Sequence, residues 1–126
     1  MKTALSTPIC DLLGIRYPII QTGMGWVAGA RLTAATSSAG GLGILASATM
    51  TLEQLQTAVR EVKARTNSPF GVNLRSDQAD VGERVDLLIG RECKKKRLIL
   101  QKMGEDTGQE LAIGCRGAEF GRVHPA

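Results

Sequence analysis

Three short apolar runs dominate the chain: Pro18-Ile19-Ile20-Gln21, Leu42-Gly43-Ile44-Leu45-Ala46 and Phe70-Gly71-Val72-Asn73-Leu74. Their centres Ile19, Ile44 and Val72 lie 25 and 28 residues apart, and helix-patterned segments fill the intervals. This spacing constrains the fold more than any other feature. A strand–helix–strand unit of about 30 residues pairs its strands in parallel through right-handed crossovers. Runs that are apolar almost throughout suit strands covered on both faces. The sequence therefore predicts an α/β chain with adjacent parallel strands at 18–21, 42–46 and 70–74.

The intervening segments carry their own start and stop signals. Residues 7–13 predict a short helical turn, and residues 22–26 a loop. Residues 30–39 predict a helix with Leu32, Ala35 and Ala39 on its small apolar face, stopped by Gly40-Gly41. Thr51 with Gln54 three residues on has the spacing of a capping box. Leu52, Leu55, Val59 and Val62 continue that helix to about Arg65, and Asn67-Ser68-Pro69 ends it. Val85, Leu88 and Ile89 mark one face of a further helical segment from about Val81. After Ile89 the pattern deteriorates. Arg97-Leu98-Ile99-Leu100 is a fourth strand candidate, and glycines at 104, 108, 114, 117 and 121 predict loop or disorder, with a weak helix near Gln109–Ile113.

Length and composition exclude several classes. The chain has 126 residues, one domain at most, whereas a complete (β/α)8 barrel typically takes about 250. Trp26, Tyr17, Phe70 and Phe120 are its only aromatics, too few for a base-stacking nucleic-acid platform. The net charge of +4 is uneven: residues 1–90 hold eight basic and seven acidic side chains, residues 91–126 eight and five. The run Lys94-Lys95-Lys96-Arg97 reads as a solvated basic stretch in preference to a nucleic-acid or membrane patch, being short and without aromatics. Cys10, Cys93, Cys115 and His124 have no metal-ligand spacing. No membrane-spanning run and no signal peptide are evident, so a reduced, cytoplasmic chain is expected.

Three motifs carry chemistry. Pro18-Ile19-Ile20-Gln21-Thr22-Gly23-Met24-Gly25 carries the first strand into its loop, where small residues let a flat ring approach the backbone; a tight turn is the alternative. Ala39-Gly40-Gly41-Leu42-Gly43 precedes its strand, so it reads as a helix-to-strand turn and not a phosphate cradle. Asn73 is an amide near the end of a buried strand, directed either at a ligand or at its own loop backbone.

Together these segments resemble the nitronate monooxygenase (2-nitropropane dioxygenase) family over about residues 8–89. The family's enoyl-thioester reductase branch also reads Gly-Met-x-Trp-Val-Ala, as Gly23-Met24-Gly25-Trp26-Val27-Ala28 does here. A branch acting on coenzyme A thioesters in steroid ring breakdown looks closest, sharing Ala39 to Ala46. The resemblance implies the amino-terminal β/α units of an FMN-binding TIM (β/α)8 barrel. It implies that Thr22, Gly23 and Met24 line the flavin and that Asn73 hydrogen-bonds it, with Gln21 and Trp26 as further candidates at the mouth. It implies a small-molecule substrate, a nitronate or an acyl thioester, and leaves NAD(P)H use and oligomerisation open. No nucleic-acid or membrane partner is expected.

The resemblance also marks departures. The family's flavin-phosphate loops and catalytic histidine come later in the barrel, and His124 has no matching context, so no catalytic residue is assigned. Residues 1–89 are expected to be a truncated FMN-dependent barrel domain, and residues 90–126 an aberrant basic, glycine-containing tail, as a shift of reading frame produces. A chain of that kind is expected to be inactive alone. The alternative from another class is a non-catalytic fragment or interaction module with a basic tail; a yellow, flavin-absorbing protein separates the two.

Overall fold

The computed structural model describes residues 4–75, 77–88, 96–99 and 110–115. The elements run α1 (Pro8–Leu13), β1 (Ile20–Gln21), α2 (Ala30–Ser38), β2 (Leu42–Ala46), α3 (Leu52–Arg65), β3 (Phe70–Arg75), α4 (Val81–Asp86), β4 (Lys96–Ile99) and β5 (Glu110–Cys115). The three apolar runs are strands, and β1–β2 and β2–β3 pair in parallel. Ile20 lies opposite Leu42, and Ala46 opposite Asn73. β1 is shorter than its run because Pro18 has no N–H to give a ladder and the Ile19 N–H donates to the Tyr17 carbonyl at 2.8 Å. The Ile19 carbonyl still accepts from the Leu42 N–H at 2.9 Å.

Alternation along the strands separates two faces. Leu45, Phe70, Val72 and Leu74 point toward the helices and share one core with Ala30 and Ala34 of α2, Leu55, Val59 and Val62 of α3, and Leu88. On the opposite face Leu42 and Ile44 pack with Cys10, Leu13 and Ile15, so α1 covers the sheet there. α3 has its capping box complete: the Thr51 side chain accepts from the Gln54 N–H, and the Gln54 side chain accepts from the Thr51 N–H at 2.9 Å.

α2 buries a face other than the expected one. Thr33, Ala34 and Ser37 are buried, while Ala35 and Ala39 are exposed. Close approach decides this, and hydrophobicity does not. A Cβ on Gly43 would lie 2.2 Å from the Thr33 carbonyl oxygen, so the helix backbone rests on the bare glycine. The Ser37 hydroxyl then accepts from the Gly43 N–H at 3.1 Å. The helix ends as its glycines predict. Gly40 has φ +104 and donates to the Ser37 carbonyl, and Gly41 donates to the Thr36 carbonyl, the paired bonds of a Schellman turn.

The carboxyl-terminal part differs from expectation. β4 forms at the predicted strand, but Glu110–Cys115 is a strand where loop or a weak helix is expected. The irregular tail of the expected fold thus contains a β4–β5 antiparallel pair, with β5 antiparallel to β3 in a sheet ordered β1-β2-β3-β5-β4. The open edge of β3 presents a row of backbone donors and acceptors, and pairing them outweighs a weak local propensity. Residues 89–95, 100–109 and 116–126, with the expected helical position Ile89 and Lys94-Lys95 of the basic run, lie outside the described residues.

Two glycine substitutions test the packing. Gly43→Ala should destabilise by about 1–3 kcal/mol, because rigid backbone must move to admit the methyl group. Gly82→Ala in α4 meets nothing within 4 Å and should stabilise by about 0.5–1 kcal/mol. Urea-unfolding midpoints should therefore shift in opposite directions; a Gly43→Ala chain as stable as its parent would refute the close approach of α2 to β2.

Candidate functional site

The site candidates gather at the carboxyl ends of the parallel strands. After β1 the loop folds on itself: the Met24 carbonyl accepts from the Val27 N–H at 3.1 Å and the Ala28 N–H at 2.7 Å. The Ala28 carbonyl accepts from the Ala46 N–H at 2.9 Å, which anchors the loop to β2. Among the described residues Trp26 alone of the non-glycines has positive φ, at 66°, and its side chain is 88% exposed. A bulky residue held in that region is strained. Trp26 borders a cleft of about 250 Å³ with Ala28, Gly29, Ala46, Thr49, Met50 and Gln54.

Asn73 lies at the centre of this end of the sheet and is 6% exposed. Its Oδ1 accepts from the Ser47 N–H at 2.8 Å, and its backbone carbonyl accepts from the Ser47 hydroxyl. A backbone N–H only donates, so Oδ1 must face Ser47 and Nδ2 must face away. Nδ2 lies 3.5 Å from the Gly23 carbonyl, a long contact. A Cβ on Gly23 would fall 2.5 Å from Nδ2, so glycine there makes room for the amide. Asn73 thus bonds the backbones of the two neighbouring loops and not its own. One Nδ2 hydrogen is left without a protein acceptor among these contacts.

Arg84 of α4 is 3% exposed. Its Nε donates to Asp80 Oδ2 at 2.9 Å, its Nη1 to the Ser47 carbonyl at 2.9 Å and its Nη2 to the Met50 carbonyl. Gln78 Nε2 donates to the Ala48 carbonyl at 3.2 Å. The loop between β2 and α3 is therefore held by side chains that follow β3. A buried guanidinium costs several kcal/mol unless its donors are used, and here all three nitrogens are.

The structure brings Gly23 and Asn73 together, with exposed Thr22 and Met24 flanking Gly23. Gln21 donates through Nε2 to the Ile44 carbonyl at 3.1 Å, and its buried Oε1 has no partner among the described residues. Trp26 points into solvent at the cleft, and His124 lies outside the described residues. Sequence reading missed Ser47 and Arg84. A signal for Arg84 existed: it follows Asp80 by four residues and precedes Leu88 by four, which sets it on the buried stripe of the helix. Ser47 had none. Among the described residues no three His, Cys, Asp or Glu side chains are grouped to hold a metal, and no helix is long and apolar enough to cross a membrane.

At the end of β3 the Arg75 guanidinium donates to both Asp77 oxygens, at 3.0 and 2.6 Å. This hydrogen bonding, aided by the guanidinium's charge, holds the Asp77 carboxyl below the usual carboxylate range. A depressed folded pKa contributes stability that is present above the unfolded value and lost as pH falls through the folded one. The pair is exposed, so solvent screening keeps the contribution small. Carboxyl NMR should show Asp77 titrating lower in the parent than in Arg75→Gln; equal midpoints would remove the pair. Gly23→Ala should cost roughly 1–3 kcal/mol, because the amide of Asn73 must turn off Ser47. That cost should vanish on an Asn73→Ala background, and a double-mutant cycle with no coupling would show that the two residues do not touch.

The comparisons with known proteins give the family. The family model described as nitronate monooxygenase matches residues 6–119, taking in the 8–89 span and running past it. An indene-carboxyl-CoA dehydrogenase of Mycobacterium tuberculosis, named in full (3aS,4S,5R,7aS)-5-hydroxy-7a-methyl-1-oxo-octahydro-1H-indene-4-carboxyl-CoA dehydrogenase, is 65% identical over 85 residues, covering 68% of this chain and 24% of that protein. Its namesake in Rhodococcus jostii is 55% identical over 112 residues, 89% of this chain and 32% of that protein. A nitronate monooxygenase of Pseudomonas aeruginosa is 47% identical over 72 residues, 55% of this chain and 20% of that protein. The solved structure of FabK from Thermotoga maritima superposes with a TM-score of 0.65 at 38% identity, covering 68% of this chain and 28% of that one. The chain spans about a quarter to a third of the length of the first two relatives. It belongs to the nitronate monooxygenase family.

Proposed function

We propose that this chain supplies the ring-binding part of an FMN-dependent oxidoreductase, with Thr22, Gly23, Met24 and Asn73 against the isoalloxazine. The observation that carries the reading is the meeting of Gly23 with the Asn73 amide at the carboxyl ends of parallel strands, where α/β folds bind ligands. The residues fit such a ring. Thr22 and Gly23 offer backbone at close range, Met24 a soft apolar contact, and Asn73 a fixed donor. The unpartnered Gln21 Oε1 is an acceptor of the kind a ring N–H requires. FMN, when bound, supplies the redox chemistry; the residues here orient the ring and exclude water from one side of it. None of the four is a general base, so this set binds the flavin and does not move the substrate's proton.

On this reading the parallel units are the first β/α units of a (β/α)8 barrel, begun by residues 1–89 and followed by the basic segment 90–126. A nicotinamide nucleotide is the proposed redox partner of the flavin, giving or taking the electron pair according to the direction of the reaction. Of the two substrate classes, an acyl-CoA thioester is favoured over an alkyl nitronate, because the relatives at 65% and 55% identity carry a carboxyl-CoA dehydrogenase name.

The neutral character of Thr22, Gly23, Met24 and Asn73 yields a direct test. These groups address the ring and not the phosphate, so riboflavin and FMN should quench on the chain with affinities within a factor of about three, well under the tenfold that ~1.4 kcal/mol represents. One charged donor to the phosphate contributes ~1.5–3 kcal/mol, so a tenfold or greater preference for FMN would overturn the placement. Binding that Asn73→Ala leaves unchanged, or no binding of either flavin, would overturn it too. With propyl nitronate, or with NADH and an enoyl thioester, turnover should stay at the free-flavin background.

A further inference from the structure

We propose that Arg84 is a positioning residue: acting through Ser47, it sets which end of the Asn73 amide faces the flavin. The proposal rests on the reading above only in naming flavin as that amide's partner. An asparagine amide turned by half a revolution offers an acceptor where it had offered a donor, at almost no change in shape. What chiefly opposes this is the Ser47 N–H on Oδ1 at 2.8 Å, the Gly23 carbonyl being a long contact from Nδ2 at 3.5 Å, and that N–H is only as well placed as the loop carrying it. The loop is held at three carbonyls: Ser47 and Met50 by Arg84, and Ala48 by Gln78.

The residue type matters. Arg84 spans two carbonyls three residues apart while its Nε meets Asp80, which a planar guanidinium does and a compact ammonium does not. An apolar side chain fills the same space at no desolvation cost. A residue needed only for packing has no reason to be a buried cation. With the guanidinium removed, the Ser47 carbonyl keeps only the Met50 N–H at 3.0 Å, the loop loses its tie to α4, and Asn73 has a less firmly placed partner on Oδ1, with only the long Gly23 contact left to tell its two ends apart. A flavin-facing donor is then exchanged for an acceptor in part of the population. Partners that orient metal ligands from behind alter affinity by roughly 10–100-fold, and an effect of that order is expected here.

The test uses the full chain, isotope-labelled, with the Asn73 side-chain amide identified by its loss in Asn73→Ala. In Arg84→Ala its two protons should exchange with solvent at least roughly tenfold faster than in the parent, while backbone amides of β2 and β3 keep their protection. Added ethylguanidinium should restore slow exchange. Arg84→Lys, which keeps the charge and loses the fork, should also exchange fast and should weaken riboflavin binding roughly 10–100-fold. Arg84→Lys decides the matter if Arg84→Ala does not fold. Exchange at the parental rate in the folded variant would overturn the proposal, whatever happens to its stability. If the amide responds but the parent binds no flavin, the positioning role stands and the flavin reading falls. If flavin binds and the amide is indifferent to Arg84, the reverse holds.

Discussion

Asn73 introduces a buried amide among the apolar residues of β2 and β3, and satisfying it decides how three strand ends meet. A buried amide without partners costs roughly 1–3 kcal/mol, so the loops after β1 and β2 must come to it. Ser47 approaches from β2 with both its N–H and its hydroxyl. Gly23 approaches from β1 and has no side chain to keep it away. The loop between β2 and α3 is then fastened from the far side by Gln78 and Arg84. A line of contacts thus runs from α4 through Ser47 and Asn73 to the loop that bears Thr22 and Met24.

Stability and orientation come from different parts of the molecule. Leu45, Leu55, Val59, Val62, Val72, Leu74 and Leu88 are fully buried, and each contributes roughly 1.5–3 kcal/mol. A hydrogen bond contributes about 0.5–1.5 kcal/mol net, because the unfolded chain bonds to water instead. The apolar core therefore dominates folding, and the polar contacts around Asn73 mainly select one arrangement of loops among several of similar burial. This division suits a binding site. The core can hold the strands parallel whatever the loops do, while direction, which burial does not specify, is assigned by donors and acceptors that fit one way only.

The antiparallel strands fit the same logic. β3 has β2 on one side and needs a partner on the other, and β5 fills that edge with its backbone running the opposite way. Backbone pairing asks only for an extended segment of sufficient length. It is indifferent to the helical period that organises residues 30–65, and so a stretch without such a period can serve.

Much of this was legible in the sequence. Spacing alone set the three parallel strands, because the pleat and the helix repeat leave few ways to cover such runs on both faces. Capping at Thr51 and the turn at Gly40-Gly41 were legible because they involve neighbours in the chain, whose geometry is local. Thr22, Gly23, Met24 and Asn73 became site candidates through the resemblance to the family, and the structure adds that Gly23 meets Asn73. What the tertiary structure alone decided were contacts between distant residues. The buried face of α2 follows from Gly43 meeting Thr33, and no hydrophobic periodicity announces a backbone resting on a backbone. Ser47 and Arg84 became important only when the fold set them beside Asn73 and each other, 26 and 37 residues apart along the chain. The strand at Glu110–Cys115 exists through its pairing with β3 and has no local signal to read. Local periodicity constrains what a segment becomes, whereas close approach and hydrogen-bond direction depend on which segments meet.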